Sequence, residues 1–313
     1  MSYQQHLAQV ANDLLIDQEK IDAFVAPDEQ SFIKPASDFE QQFIHGKDEG
    51  DSGAYLPWQK TRDRVRLRPG ELSYWAGYKG HKKSMMTSEV ALSLIDQNHS
   101  VCIASFEMKV MRTLQRMSAQ CIGNQNPTEE AQRKFFKKIG HKLYLYDQQG
   151  IVPTQRVIKM VEYCAYELGI EHIFIDSLMK CGMNPDDYAG QKKFCDRLDA
   201  IAKDTGAHIH LVLHMRKPPN DKRFIPDGYD IAGGNDVTNQ ASNIFVVWSD
   251  TEKEEESKKP KDKQEKKIIE RSDCILRVAN QRNAEYEGRM GFYFNTKSLQ
   301  FTEQEGGYTR TYL

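Results

Sequence analysis

The 313-residue sequence lacks the marks of a secreted, zinc-binding or membrane protein. Its six cysteines are scattered without a C-x-x-C pair, so neither a zinc site nor a disulfide framework is indicated. No apolar run is long enough to cross a membrane, and no secretory leader is recognisable. We therefore expect a cytoplasmic protein of a reduced compartment that does not contact membranes.

The sequence also lacks an excess of charge of either sign. Basic side chains number 43 and acidic side chains 45, which gives a formal net charge of −2. Binding of nucleic acid through a generally basic surface is thereby excluded, and any such contact must use local patches. Hydrophobic residues make up 39% and charged residues 28%, which suits one large globular domain, alone or with a small appendage.

The strongest chemical signal lies between an apolar run at residues 72–76 and a helical pattern at residues 85–95. The segment consists of Gly77, Tyr78, Lys79, Gly80, His81, Lys82, Lys83, Ser84 and Met85. A strand, a glycine-containing loop, Lys-Ser and a helix form the context in which a P-loop binds nucleotide phosphates. Lys83 is predicted to reach the β- and γ-phosphates and Ser84 to hold magnesium. ATP, or another NTP or dNTP, and Mg²⁺ are the expected cofactors.

The loop departs from the P-loop pattern G-x-x-x-x-G-K-[ST] at one position. Lys82 stands where the second glycine is expected. A lysine in the left-handed backbone conformation costs on the order of 1–2 kcal/mol, which the extra positive charge beside phosphates would partly offset. A chance match in an ordinary loop is the alternative, because short motifs produce false positives.

Strands and helices alternate through most of the chain. Strands are predicted at residues 101–106, 142–146, 172–176, 208–214 and 243–248, and helices at residues 107–122, 129–139, 154–168 and 187–205. This alternation predicts an α/β fold with a mostly parallel twisted sheet and helices on both faces. Residues 274–279 predict a further strand, and residues 289–301 predict a closing hairpin.

Three segments lie outside this alternation. Residues 1–26 have apolar side chains at helical spacing, and the predicted helix packs either on its own domain or on a neighbouring subunit. Residues 27–55 are polar and predict a linker. Residues 250–273 are almost all charged with both signs mixed, which predicts a solvated or disordered excursion without a function of its own.

Polar side chains follow or end three of the predicted strands, at Glu107, Asp176 and His214. Ligands of open α/β sheets bind at the carboxyl ends of strands. Glu107 is therefore a candidate for activating water, Asp176 for holding magnesium and His214 for contacting the γ-phosphate. Each has an ordinary alternative: a glutamate in the first turn of a helix, an aspartate that starts a turn, and a histidine at a strand end.

In their order, these motifs resemble the RecA-like motor domain of the hexameric replicative helicases, the DnaB/Twinkle-like family. The segments that resemble family motifs are Arg68-Pro69-Gly70-Glu71-Leu72, Ser105-Phe106-Glu107-Met108, Ile175-Asp176-Ser177-Leu178, residues 210–217, residues 231–235 with 240–243, and residues 278–283. The resemblance covers about three quarters of the chain, from residue 68 to residue 301. It implies that Glu107 is the catalytic glutamate, His214 the phosphate sensor and Arg282 a finger on the neighbouring subunit's nucleotide.

The resemblance further implies an NTP hydrolase: a DNA helicase that forms a homo-oligomeric ring, a hexamer in the family, and translocates on single-stranded DNA in replication. The loops that would line its channel carry Lys180, Arg216, Lys217, Lys222, Arg223, Gly233, Gly234 and Asn235. Phosphate contacts there predict binding that weakens with salt. Nothing in the first 60 residues resembles a primase, so a primase or polymerase partner is expected to be a separate chain. A virus-encoded motor of the phage type fits this arrangement.

Two departures from the family pattern keep a second interpretation open. Lys82 replaces a glycine, and Asn280 replaces a lysine of the finger segment. A nucleotide-regulated DNA-binding or assembly module with little hydrolysis is the alternative function, and strand-exchange or clock-type ATPases share the fold. We expect residues 1–60 to be a helical oligomerisation segment with its linker, residues 61–303 the motor domain and residues 304–313 a tail.

Overall fold

The computed structural model describes residues 18–24, 53–216, 224–233 and 235–313, and the structural statements below concern these residues. The strands are β1 Leu72–Gly77, β2 Val101–Ser105, β3 Leu143–Tyr146, β4 His172–Asp176, β5 His208–His214, β6 Asn243–Ser249, β7 Cys274–Gln281, β8 Gly288–Asn295 and β9 Gln300–Thr302. They form one sheet in the order β3-β2-β4-β5-β1-β6-β7-β8-β9. Strands β1 to β6 are parallel and β7 to β9 antiparallel, which confirms the predicted mostly parallel sheet.

Helices cover both faces of the sheet. They are α1 Gln18–Ala23, α2 Lys83–Asp96, α3 Val110–Ile122, α4 Glu129–Ile139, α5 Thr154–Glu162, α6 Tyr188–Thr205, α7 Asn235–Thr238, α8 Thr251–Glu256 and α9 Lys266–Ile269. Val157 and Leu198 of α5 and α6 pack in one buried apolar cluster, and Val90 and Leu114 of α2 and α3 pack in another. Side chains of the central strands alternate between the clusters because successive residues of a strand face opposite ways. Across the described ranges no helix has the length and apolarity to span a membrane.

The helix predicted at residues 107–122 begins later than expected. It starts at Val110, so Glu107 lies in the turn between β2 and α3 rather than in a first helical turn. The alternative account of Glu107 as a residue favoured by the helix dipole is therefore wrong. The Glu107 side chain therefore lies near the carboxyl end of β2, at the edge of the sheet where the parallel strands end.

The helix predicted at residues 154–168 is interrupted. Regular helix α5 ends at Glu162 and continues as one π-helical turn, Tyr163–Glu167. Phe24 packs against this turn, with ring centroids 5.9 Å from Tyr163 and 6.5 Å from Tyr166. Of the helix predicted over residues 1–26, the described part thus packs on its own domain, with Ile21 fully buried. Residues 1–17 and 25–52, including most of the predicted linker, lie outside the described residues.

Residues 250–273, hereafter the charged insertion, contain helical structure, so the prediction of a disordered excursion is wrong, whereas most of their side chains are exposed, as predicted for a solvated segment. They contain α8 and α9. Asp250 caps α8 by accepting the Lys253 N–H at 3.0 Å, and Arg271 pairs with Glu252 at 2.6 Å. Lys253 lies 2.7 Å from Asp273. Some of the mixed charges therefore pair with one another and hold α8 in place.

The packed body reaches beyond the segment expected to form the motor domain. Trp58 is fully buried, its indole N–H donates to the Phe301 carbonyl at 2.9 Å, and its ring lies 4.8 Å from that of Phe292. In the C-terminal tail, the Tyr312 N–H donates to the Cys121 carbonyl at 3.0 Å. Residues 53–60 and the tail therefore belong to the same packed unit as the sheet.

Three buried, neutral histidines lie towards the amino edge of the sheet, the edge at which the parallel strands begin. The Trp75 indole N–H donates to Nδ1 of His210 at 3.1 Å, so that ring carries its proton on Nε2, which lies 3.2 Å from Nδ1 of His172. Nε2 of His208 lies 2.7 Å from the Ser73 hydroxyl. Burial lowers the pKa of these histidines, that of His208 to about 4. The edge opposite the P-loop is therefore joined by uncharged hydrogen bonds.

Glu89 of α2 is a fully buried carboxyl group. One oxygen accepts the Phe301 N–H at 2.8 Å, and the other has no hydrogen-bond partner among the described residues. Burial raises the pKa of Glu89 to about 8, although the Phe301 N–H and Arg310 act in the opposite direction. The folded protein thus holds a proton here at neutral pH that the unfolded chain releases.

We expect Glu89→Gln to stabilise the protein more at pH 8 than at pH 5, by roughly 2–4 kcal/mol of unfolding free energy. The stability that the proton on Glu89 provides is complete below the ordinary pKa of 4.5 and is lost as the pH rises towards about 8. The glutamine side chain retains an oxygen that can accept the Phe301 N–H, but it does not titrate. Urea unfolding at both pH values measures the difference.

Glu130→Gln is the matched control, because Glu130 is exposed and its pairing with Lys134 lowers its pKa. Its carboxylate stays ionised between pH 5 and pH 8, so this variant should show no comparable difference. An equal difference in both variants, or none in Glu89→Gln, would contradict the assignment.

Candidate active site

The loop after β1 approaches the neighbouring strand closely. A Cβ atom on Gly77 would lie 2.3 Å from the Val247 carbonyl oxygen of β6, so only glycine fits at the end of β1. The chain then turns through Gly80, at φ +86°, and enters α2 at Lys83. The first turn of a helix leaves backbone N–H groups without intrahelical partners, and these favour an anion. The predicted strand-loop-helix context of a P-loop is therefore present.

The side chain of Lys83 lies inside this loop. Its ammonium donates to the carbonyls of Gly77 at 2.7 Å and Tyr78 at 3.0 Å. Burial lowers the pKa of Lys83 to about 8, while the charges of Asp176 and Glu107 act in the opposite direction. A cation held so close to a helix N-terminus creates a local site for phosphate groups.

Ser84 and Asp176 meet across the loop and β4. The Ser84 hydroxyl donates to a carboxylate oxygen of Asp176 at 2.5 Å. Burial raises the pKa of Asp176, and the hydrogen bond from Ser84 opposes that rise. A hydroxyl and a carboxylate are hard oxygen ligands, and magnesium typically uses one or two such protein groups together with phosphate oxygens and water. The pair therefore fits Mg²⁺ held jointly with a nucleotide.

Glu107 and His214 lie on the same edge. A carboxylate oxygen of Glu107 is 3.7 Å from Nε2 of His214 and accepts the Ser177 hydroxyl at 3.2 Å. In the β1–β5 register His214 lies opposite Gly77. Burial lowers the pKa of His214, and the charge of Lys83 lowers it further. A partly exposed carboxylate and a neutral imidazole thus stand beside the loop, as a base and a hydrogen-bond donor.

Lys82 adopts the left-handed conformation for which glycine is suited at this position, with φ +61° and ψ +21°. Its ammonium forms an ion pair with Glu254 of the charged insertion and lies 5.4 Å from the centre of the Phe294 ring. His81 braces the loop from the other side by accepting the Ser249 N–H of β6 at 3.0 Å. Burial lowers the pKa of His81 to about 4, so this acceptor stays neutral.

Arg282 lies away from these residues. Its backbone N–H donates to the Ser242 carbonyl at 2.7 Å, and its guanidinium donates to the Asn239 carbonyl at 2.9 Å. Strand β7 runs antiparallel to β6, with Asn243 opposite Gln281. Arg282 therefore sits at the amino edge of the sheet, opposite the loop of its own chain.

The residues predicted to contact DNA are only partly described. Lys180 lies in the turn after β4, and Arg216 is exposed after β5. Gly233 is buried, and a Cβ atom there would lie 2.8 Å from the Gln191 side-chain oxygen, so this residue shapes its loop. Lys217, Lys222, Arg223 and Gly234 lie outside the described residues, as does the side chain of Asn235.

Sequence reasoning missed Arg116 of α3. Its guanidinium lies 3.1 Å from the sulfur of Met108, and Asp176 partly offsets the lowering of the Arg116 pKa by burial. It lines a small cavity together with Ser84 and Asp176. The only signal in the sequence was a basic residue among the apolar positions of a helix, which usually marks the edge of a solvated face.

Comparisons with known proteins show which folds and which family this chain resembles. The fold matches a solved ATPase domain with a TM-score of 0.69 at 14% identity, over 88% of this chain and 100% of that one. It matches a DnaB-like replicative helicase, solved to examine its interactions with primase, with a TM-score of 0.68 at 14% identity, over 96% of this chain and 75% of that one. The predicted RecA-like fold, shared with a DnaB-like replicative helicase, is thereby confirmed. Since residues 45–220, more than half of the chain, match the model of the AAA domain, the protein belongs to the AAA domain family, whose P-loop implies nucleotide binding.

Proposed function

We propose that this protein is an NTP-driven DNA helicase motor that assembles into a ring and translocates on single-stranded DNA during replication. The observation that carries the proposal is the meeting of Lys83, Ser84, Asp176, Glu107 and His214 at the carboxyl edge of four adjacent strands. The likeness in fold to an ATPase domain and to a DnaB-like replicative helicase supports it.

The loop residues bind the nucleotide in this proposal. The Lys83 ammonium exchanges its bonds to the Gly77 and Tyr78 carbonyls for phosphate oxygens. Ser84 and Asp176 supply the protein oxygens for magnesium, which contributes neutralisation of the phosphate charge when bound. Because Ser84 and Asp176 already contact each other, these oxygens need little rearrangement to act together.

Glu107 is the proposed general base. Its carboxylate is about half exposed, so water reaches it, and the Ser177 hydroxyl fixes one oxygen. It orients water and accepts its proton as the water attacks the γ-phosphate. The neutral imidazole of His214 donates to a γ-phosphate oxygen. Because His214 lies close to Glu107, a change in its contact with the γ-phosphate also changes the surroundings of the proposed base.

Arg282 requires a second copy of the chain. It lies at the edge of the sheet opposite its own P-loop, so its guanidinium reaches a phosphate only in a neighbouring subunit. A repeated head-to-tail contact of this kind forms a ring when its rotation closes and an open filament when it does not, and we propose the ring. The hexamer, the finger role of Arg282 and assembly through residues 1–26 are parts of this proposal.

In this proposal, the ends of β4 and β5 connect the nucleotide site to the loops that contact DNA. Lys180 and Arg216 follow β4 and β5, the same strands that end in Asp176 and His214. Displacement of those strand ends by phosphate is transmitted to the loops that we propose as the DNA contact, together with the basic residues up to Arg223. A separate primase or polymerase chain is the proposed partner. The second matching structure concerns a helicase that interacts with primase.

We expect single-stranded DNA to stimulate NTP hydrolysis strongly, and Lys83→Ala to lower the stimulated rate by about 10²-fold or more, because one preorganised donor to phosphate is lost. Steady-state hydrolysis of ATP and of each other NTP and dNTP, with and without DNA, measures this. Lys137→Ala, which removes an exposed lysine of α4, is the control and should keep the full rate.

The second candidate function gives a different result in the same assay. Hydrolysis no faster than that of Lys83→Ala, with nucleotide still bound, would reject the motor and favour a nucleotide-regulated DNA-binding module. The left-handed Lys82 in the loop and Asn280 in the finger segment are the observations that favour it.

We expect Arg282→Ala to bind nucleotide normally and to hydrolyse it roughly 10³-fold more slowly, because a cation on the transition state is lost. Co-expression with Lys83→Ala should restore activity. In randomly mixed rings about a quarter of the interfaces join an intact P-loop to an intact Arg282 of the neighbour.

Arg289→Ala, an exposed arginine of β8, is the control and should leave hydrolysis unchanged. The assignment in trans fails if co-expression of the two inactive variants restores nothing, or if Arg282→Ala alone keeps full activity.

A further inference from the structure

We propose that Glu254 of the charged insertion is a positioning residue for the P-loop: by holding the side chain of Lys82, it keeps the loop in its phosphate-binding conformation. The inference rests on the proposed nucleotide site and adds to it a residue 172 positions away from Lys82 in the sequence. It gives the charged insertion a role in nucleotide affinity.

Lys82 occupies the position that controls the entry into α2. Its carbonyl accepts the N–H groups of Met85 at 3.1 Å and Met86 at 3.0 Å, and it is the N-cap residue of the helix. The direction of the first turn, and with it the N–H groups that face a phosphate, therefore depends on the backbone angles of Lys82. Those angles lie in the left-handed region, which glycine adopts freely and lysine does not.

The side chain of Lys82 is anchored where a glycine would need no anchor. Its ammonium pairs with Glu254 and lies over the Phe294 ring, 5.4 Å from the centroid. The Lys82 side chain is 19% exposed and that of Glu254 is 45% exposed, so solvent weakens the pair without removing it. The ion pair with Glu254 thus offsets part of the free-energy cost of the left-handed backbone at Lys82.

Glu254 is itself held in place. Arg271 pairs with Asp250, the N-cap of α8, and with Glu252 in its first turn, and Lys253 pairs with Asp273. These bonds tie the helix to the end of β6 and the beginning of β7. The same end of β6 contacts the P-loop through the bond from the Ser249 N–H to His81. The insertion and the loop therefore share one support, which fixes the place of Glu254 relative to Lys82.

A different role for the pair would be sequestration, in which Glu254 withdraws a cation from the phosphates. The positions of the two lysines favour anchoring. Lys83 already places an ammonium inside the loop, against the Gly77 and Tyr78 carbonyls, whereas the Lys82 ammonium is directed to the insertion. The two roles predict opposite changes in nucleotide affinity when the carboxylate is neutralised.

The test is a double-mutant cycle of the full chain with Glu254→Gln, Lys82→Gly and both together. Titration with a fluorescent ATP analogue and Mg²⁺ gives Kd, and steady-state hydrolysis gives kcat and KM. We expect Glu254→Gln to raise Kd and KM about three- to tenfold with kcat unchanged, since one partly exposed ion pair is lost. With Lys82→Gly in place, Glu254→Gln should change neither constant, because glycine needs no anchor.

Glu255→Gln, at the next and also exposed position of α8, is the matched control and should bind nucleotide like the wild type. Thermal unfolding of each variant shows whether a change in Kd reflects loss of the fold. Tighter binding by Glu254→Gln would overturn anchoring in favour of sequestration. An equal loss in the Lys82 and Lys82→Gly backgrounds would also overturn it. A wild-type chain that binds no nucleotide in this titration would instead reject the proposed function itself.

Discussion

A buried ammonium at the end of the central strand is the constraint on which the site depends. Burying a cation is costly unless carbonyls and carboxylates surround it. Lys83 receives both, from the Gly77 and Tyr78 carbonyls and from the nearby charges of Asp176 and Glu107. Asp176 ends β4 and Glu107 follows β2, and the parallel pairing of these two strands brings both carboxylates to the same edge. The stabilisation of this one charge thus brings together Lys83, Asp176 and Glu107, which we propose as the phosphate-binding lysine, the metal ligand and the base.

The carboxyl and amino edges of the sheet differ in the polar groups that they hold. The carboxyl edge places the buried Lys83 and Asp176 beside the partly exposed Glu107, and the proposed phosphate ligand completes the pairing of these charges. The amino edge instead holds neutral histidines that hydrogen-bond to Trp75 and Ser73. Arg282 lies at that amino edge, far from its own P-loop. In the proposed function, one chain therefore holds most of the hydrolytic site and the finger comes from a second copy.

The charged insertion shows that mixed charge is not the same as disorder. Disorder follows when charges meet only water, whereas here Arg271 and Lys253 pair with acids at the two ends of the insertion. Individual exposed pairs stabilise weakly, but several that share residues restrict one another. The result is a short helical platform that presents Glu254 to the P-loop, which accommodates a lysine where the family pattern has glycine.

The sequence by itself determined the alternation of strands and helices and the chemistry at strand ends. Lys83 and Ser84 could be proposed from their neighbours because a glycine-containing loop precedes them and a helix follows, and Asp176 and Glu107 because each lies at the end of an apolar strand. Periodicity and turn chemistry act over a few residues, so these features are visible without a structure.

Only the tertiary structure decided what depends on residues remote in sequence. Trp58 joins the core through Phe301, 243 positions later, and Lys82 meets Glu254, 172 positions later. The approach of Arg116 to Asp176 likewise requires α3 and β4 to pack together. Such contacts arise when the sheet closes and side chains of distant elements fill the same space, and no local pattern of residue types specifies which of them will meet.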